Sequence, residues 1–147
     1  MPSYMTGNMW EMLGQVDWFC ITTNAIVKNN GALVMGAGIA KQVRDYQQGI
    51  DKICGDVVRQ HAVHNLYGFI EAMPGLGLFQ VKQHFKDKAD LGIIRHSVVK
   101  MQEHIKNHPG DLYALNFPGI GNGKLQYDEV KPIIDALPDN VTVWTFR

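Results

Sequence analysis

Two segments of this chain repeat one order: an apolar run, a glycine-bearing loop, then apolar residues at helical spacing. In the first, VDWFCITTN (16–24) leads to GALVMGAGIAKQ (31–42), and Ile39, Val43 and Tyr46 recur at helical intervals. In the second, DLYALNF (111–117) leads to PGIGNGKL (118–125) and then to Val130, Ile133, Ile134 and Leu137. A strand that passes through a loop into a helix and on to another strand is a βαβ unit. Two such units in one chain predict an α/β sandwich, with helices on both faces of a mixed, mostly parallel sheet. At 147 residues the chain has room for one domain, expected to span 1–147.

The remaining segments fit between these units. Gly49 breaks the chain, and Ile50, Ile53, Cys54, Val57, Val58 and His61 then form a helical stripe. NLYGFIEA (65–72) and LGLFQVKQHF (76–85) read as strands joined by a Pro74-Gly75 turn. Asp90 is a good N-cap for a helix carrying Ile94, Val98, Met101 and Ile105, which His108, Pro109 and Gly110 stop. Asp128 and Glu129 suit the positive end of the last helix, and NVTVWTF (140–146) closes the chain as a β-branched strand.

Charge and cysteine usage exclude several functions. Lys+Arg and Asp+Glu both number 14, so nonspecific grip on nucleic acid is not expected. A neutral chain can still hold an anion, because backbone N–H groups and helix N-termini need no net charge. Cys20 and Cys54 sit in apolar stretches and read as buried, reduced thiols. No apolar run approaches a membrane span, and MPSYMTGNMWEM lacks a signal-peptide pattern, which predicts an intracellular, cytoplasmic protein without membrane partners. Among six histidines, His61/His64 and His104/His108 have helical spacing, but no cysteine or carboxylate joins either pair at ligand spacing. No metal and no cofactor are expected, and a monomer is the default.

The glycine loops match neither common phosphate motif. A dinucleotide fingerprint requires G-x-G-x-x-G, and Lys41 stands at its last position. The second loop lacks G-x-x-x-x-G-K, and Leu125 replaces the magnesium-binding hydroxyl of a P-loop. Two bare loops, each after a strand and before a helix, could nonetheless surround a diphosphate from two sides.

The ordered set of motifs resembles the macro domains, which bind ADP-ribose. MGAGIAKQV, following a strand that ends at Asn24, is similar to their first ligand loop and closest to the M-G-x-G-I-A branch. That branch removes ADP-ribose from DNA and from acidic side chains. FPGIGNG resembles the second loop, MTGNMWEM the opening segment and VTVWTF the closing strand, so the likeness runs from Thr6 to Phe146. It implies a three-layer α/β/α sandwich with a diphosphate between Met35, Gly36, Ala37, Gly38, Ile39 and the segment Pro118, Gly119, Ile120, Gly121, Asn122, Gly123. It also implies a distal ribose near Asn122 and Asn29-Asn30-Gly31, and an adenine near the start of the chain. Asn24 closes the first strand. Asn8 stands where the family has an aspartate that reads the adenine amino group, and it keeps a carbonyl acceptor.

The same resemblance places Lys82, in LFQVKQHF, at the family's catalytic lysine beside the distal ribose. A lysine there can act as a nucleophile or imine former if its pKa is lowered. Lys86 and Lys88 read as surface charges. The second loop is about two residues shorter than in relatives with an acid there, so the slot for a catalytic aspartate is missing or taken by Lys124. Two functions therefore stand side by side. One is a hydrolase acting on an ADP-ribosylated macromolecule or on ADP-ribose-1″-phosphate. The other is a module that only binds ADP-ribose or a related NAD-derived nucleotide.

Overall fold

The computed structural model of the chain describes residues 1–63 and 66–146. Six strands form one sheet: β1 (Ser3–Thr6), β2 (Trp18–Thr23), β3 (Phe69–Met73), β4 (Leu76–Gln80), β5 (Tyr113–Asn116) and β6 (Val141–Thr145). Four helices join them: α1 (Gly38–Tyr46), α2 (Ile50–His61), α3 (Leu91–Asn107) and α4 (Tyr127–Ile134). The sheet order is β1-β6-β5-β2-β4-β3, parallel throughout except for the β3–β4 hairpin at one edge. This is the mixed, mostly parallel sheet that the sequence predicts.

Side chains alternate across the strands and build a core on each face. Phe19 and Ile21 of β2 join Leu78, Ile39, Val43, Ile50, Cys54 and Val58 under α1 and α2. Cys20 points the other way, to Phe79, Leu115, Ile94, Met101, Val130 and Ile134 under α3 and α4. The two cysteines thus lie in different cores, both buried and both free. The stripe foreseen on α3 is buried throughout. Asp90 caps that helix, its carboxylate accepting the Ile93 N–H at 3.1 Å.

Some boundaries differ. The strand expected over 76–85 ends at Gln80, although the ladder continues raggedly. Val81 N–H donates to Thr23 O at 3.0 Å and Ala25 N–H to Gln83 O at 2.9 Å before the chains part. The strand expected over 65–72 starts at Phe69; His64 and Asn65 lie outside the described residues. On α2 only Ile50, Cys54 and Val58 of the expected stripe are buried, while Ile53 stays exposed. Gly55 rather than a larger side chain faces the loop beneath, because its Cβ would stand 1.9 Å from Gly31 O. Among the described residues no helix is long and apolar enough to cross a membrane.

Candidate functional site

The topology opens a crevice at the carboxyl ends of β2 and β5. From β2 the chain crosses one face through α1 and α2, and from β5 it crosses the other through α4. Loops leaving adjacent strands in opposite directions leave a gap where ligands of parallel α/β folds settle. Asn116 spans the floor of that gap. Its Oδ1 accepts the Thr22 N–H at 2.9 Å, and its Nδ2 donates to Thr22 Oγ1 at 2.8 Å. The resulting cleft has a volume of about 750 Å³.

Two loops form its walls. The first, Met35 to Ile39, is held against the end of β2 by Asn24. The Asn24 amide donates to Val34 O at 3.1 Å and accepts the Ile26 N–H at 3.0 Å. Beneath it the Tyr67 hydroxyl donates to Asn24 O at 2.9 Å. Helix α1 begins at Gly38 with no side-chain cap from Ala37, so its first N–H groups open on the cleft. The second loop, Gly119 to Lys124, contains a 3-10 turn over Gly121–Gly123, again with no side-chain cap.

The glycines in these loops have different causes. Gly38 and Gly121 have φ of +58° and +66°, a left-handed conformation that a Cβ disfavours. Gly119 is left-handed too, with φ of +82°, and a Cβ there would also press on the movable Cδ1 atoms of Ile94 and Leu125 at 2.9 Å. Gly36 has neither reason. It is exposed, without left-handed strain, and a Cβ on it would meet no protein atom within 4 Å. A Cβ on Gly38 would stand 3.5 Å from Asn122 Nδ2, which shows how closely the two loops approach.

Lys82 enters from the end of β4. Half-buried, it donates from Nζ to the Asp87 carbonyl at 3.1 Å. Burial lowers its pKa below the ordinary lysine value and Lys124 lowers it further, while Asp87 opposes both. Lys86 and Phe85 also line the cleft, so Lys86 is more than the remote surface charge expected from sequence. Among the described lining residues the ionisable ones are Lys82, Lys86 and Lys124; no carboxylate and no histidine joins them. The three threonine hydroxyls of the lining bond to protein groups: Thr22 to Asn116, Thr23 to Tyr67 and Thr145 to Met5 O.

Asn24, Met35–Ile39, Gly119–Gly123 and Lys82 therefore meet at one cleft. Asn8, Pro118 and the 29–31 turn are not among its lining residues. Asn8 caps a 3-10 turn, its Oδ1 accepting the Trp10 N–H at 3.1 Å, and Pro118 is buried behind Gly119. Asp128 leaves the helix cap to Glu129, whose Oε2 accepts the Gln126 N–H at 3.2 Å. Sequence reasoning did not single out Phe85 or Asn116, because no local pattern marks a residue that meets its partner only across strands.

Among solved structures, the macrodomain of Thermus aquaticus DarG superposes on this chain with a TM-score of 0.74 at 22% identity, covering 100% of this chain and 98% of that one. The chain has the macrodomain fold. The Mycobacterium tuberculosis DarG macrodomain gives 0.71 at 19% identity, over 98% of this chain and 97% of its own. Thermosipho africanus DarTG, solved in complex with ADP-ribose, gives 0.70 at 18% identity over 99% of this chain and 42% of that one. No protein-family model matches the sequence, and none of the curated proteins matches it. The macrodomain likeness is thus carried by backbone geometry, with the cleft at the carboxyl ends of its parallel strands.

Proposed function

We propose that the cleft binds ADP-ribose and that the protein releases ADP-ribose from a modified macromolecule, or phosphate from ADP-ribose-1″-phosphate. The observation that carries this reading is the pair of uncapped glycine loops facing each other across one cleft. On its lining Gly36 lacks a side chain that the protein itself has room for. A diphosphate lying there accepts N–H groups from both loops and from the positive end of α1. Lys82, Lys86 and Lys124 supply positive charge without an opposing carboxylate on the lining. The Thermosipho africanus DarTG structure with bound ADP-ribose supports the choice of ligand.

For the reaction, Lys82 is the group to place at the anomeric carbon of the distal ribose. Its amine, favoured by burial, attacks C1″, and a C1″–N bond forms as the bond to the macromolecule breaks. The leaving group takes that bond's electron pair and the proton shed by the amine. Water then adds to C1″ and gives one proton to the Lys82 nitrogen as the C1″–N electron pair returns to it, and free ADP-ribose departs. The absence of a carboxylate on the lining favours a second reading, a module that holds ADP-ribose without turning anything over.

Incubation with ADP-ribosylated DNA, ADP-ribosyl-glutamate protein and ADP-ribose-1″-phosphate separates the two. The hydrolase reading predicts release from at least one substrate, lost in Lys82→Arg while ADP-ribose binding persists, because arginine keeps the charge but stays protonated. Binding without release from any of the three leaves only the module. Release by Lys82→Ala at the wild-type rate overturns the role of Lys82.

A further inference from the structure

A second cluster of chemistry-bearing side chains lies at the opposite end of the sheet. His104 and His108 project from the last turn of α3 and its cap, with rings stacked 4.0 Å apart. Glu71 comes from the edge strand β3, and its Oε1 stands 3.3 Å from His104 Nε2. One ligand atom from each of the three lies within 4.8 Å of the others. None of them lines the cleft. Trp18 and Tyr113, the first residues of β2 and β5, pack against the pair from the amino-terminal ends of their strands.

We infer that Glu71, His104 and His108 form a binding site for one transition-metal dication of the zinc type. Two imidazoles and a carboxylate are a ligand set suited to Zn²⁺ or Co²⁺, with a fourth position left for water. Both rings are oriented from behind by oxygen partners on Nδ1. His108 Nδ1 donates to His104 O at 2.7 Å, and His104 Nδ1 lies 2.8 Å from the Tyr113 hydroxyl. A metal-bound imidazole has its other nitrogen held in this way; the carbonyl on His108 Nδ1 fixes that ring with Nε2 unprotonated, while His104 Nε2 must exchange its contact with Glu71 Oε1 for the metal. Nδ1 is the His108 ring nitrogen that the hydrogen bond to His104 O occupies, and the His104–Glu71 contact already brings two of the three ligand groups together.

The surroundings suit a cation. Asp111 takes the Trp18 indole N–H at 2.9 Å, and Asp17 takes the Leu112 N–H at 2.7 Å, which adds two carboxylates around the bases of β2 and β5. Ligand atoms on a tetrahedral zinc stand about 3.4 Å apart, so the cluster must tighten on binding. Glu71 is the arm that can do so, because its side chain is 41% exposed on an edge strand while His104 is 12% exposed and wedged. The metal would tie the end of α3 to the sheet edge. Glu71 lies 33 residues before His104, so sequence spacing could reveal the histidine pair but not the third ligand.

Titration of the full chain with Co²⁺ tests this. The expected result is one equivalent bound with visible absorption of a four-coordinate site. Tryptophan emission should be quenched as well, because Trp18 lies 4.6 Å from the His104 ring. Zn²⁺ should displace the cobalt. Glu71→Gln, on the exposed arm, should weaken binding about tenfold or more with the fold unchanged by circular dichroism, and His108→Asn should do the same. His84→Asn, outside the cluster, should leave it unchanged. No saturable binding, or binding that Glu71→Gln and His108→Asn leave at wild-type affinity, overturns the site.

Discussion

Asn116 grips Thr22 with two hydrogen bonds at the point where β5 and β2 separate to open the cleft. The clamp replaces the backbone ladder that the diverging strands lose. Asn116→Leu leaves the Thr22 N–H and hydroxyl without their partner, which costs about 1–3 kcal/mol. Urea denaturation should show the lower midpoint with an unchanged slope, and ligand affinity should fall with it. A variant as stable as the wild type would show that the clamp contributes nothing.

Lys82 and Lys124 are electrostatically linked across the cleft mouth. Lys124 lowers the Lys82 pKa, so removing its charge raises that pKa and leaves less amine at any given pH. If the amine is the nucleophile, turnover rises with pH through an inflection below the ordinary lysine value, about 10.5. In Lys124→Gly the inflection moves to higher pH and the rate at fixed pH falls. Lys124 also has φ of 62°, so glycine relieves about 1 kcal/mol of left-handed strain and the variant stays folded. A pH–rate profile identical in both proteins would contradict the linkage.

Gly55 sits in the middle of α2 where helix and loop backbones touch. A Cβ there would lie 1.9 Å from Gly31 O and 2.9 Å from Leu33 N, both backbone atoms that cannot rotate away. Gly55→Ala raises helix propensity yet forces α2 off the 28–33 turn, for a net loss of about 2 kcal/mol or more. Thermal unfolding should show a clear drop; an unchanged or higher midpoint would mean that the turn yields freely.

The order of strands and helices was readable because burial imposes its own period on the sequence. Ile94, Val98, Met101 and Ile105 mark one helix face, and Asp90 announces its start. The glycine loops were readable for a related reason, since φ above zero at Gly38 and Gly121 leaves glycine the least strained choice. Strand ends were harder. β4 ends at Gln80, yet Val81 N–H still donates to Thr23 O and Ala25 N–H to Gln83 O, and nothing in VKQHF marks where the regular ladder stops.

What stayed hidden are contacts set by tertiary geometry alone. Asn116 reads as an ordinary strand-end residue until Thr22 lies beside it. Lys86 is one more charge in a polar run until the chain turns it and Phe85 toward the cleft. Glu71 belongs to a strand far from His104 in sequence. Glu129 rather than Asp128 takes the cap because position, not acidity, decides which carboxylate reaches the Gln126 N–H.

The most direct test of the account is calorimetric titration of ADP-ribose into the wild-type chain and into Gly36→Val. Gly36 is exposed and not left-handed, and its Cβ would meet no protein atom within 4 Å, so valine leaves the fold intact and fills only ligand space. The account predicts saturable binding by the wild type, weakened about tenfold or more in Gly36→Val with unchanged thermal stability. Equal affinity in the two proteins, or no heat from the wild type even at millimolar ADP-ribose, would contradict it.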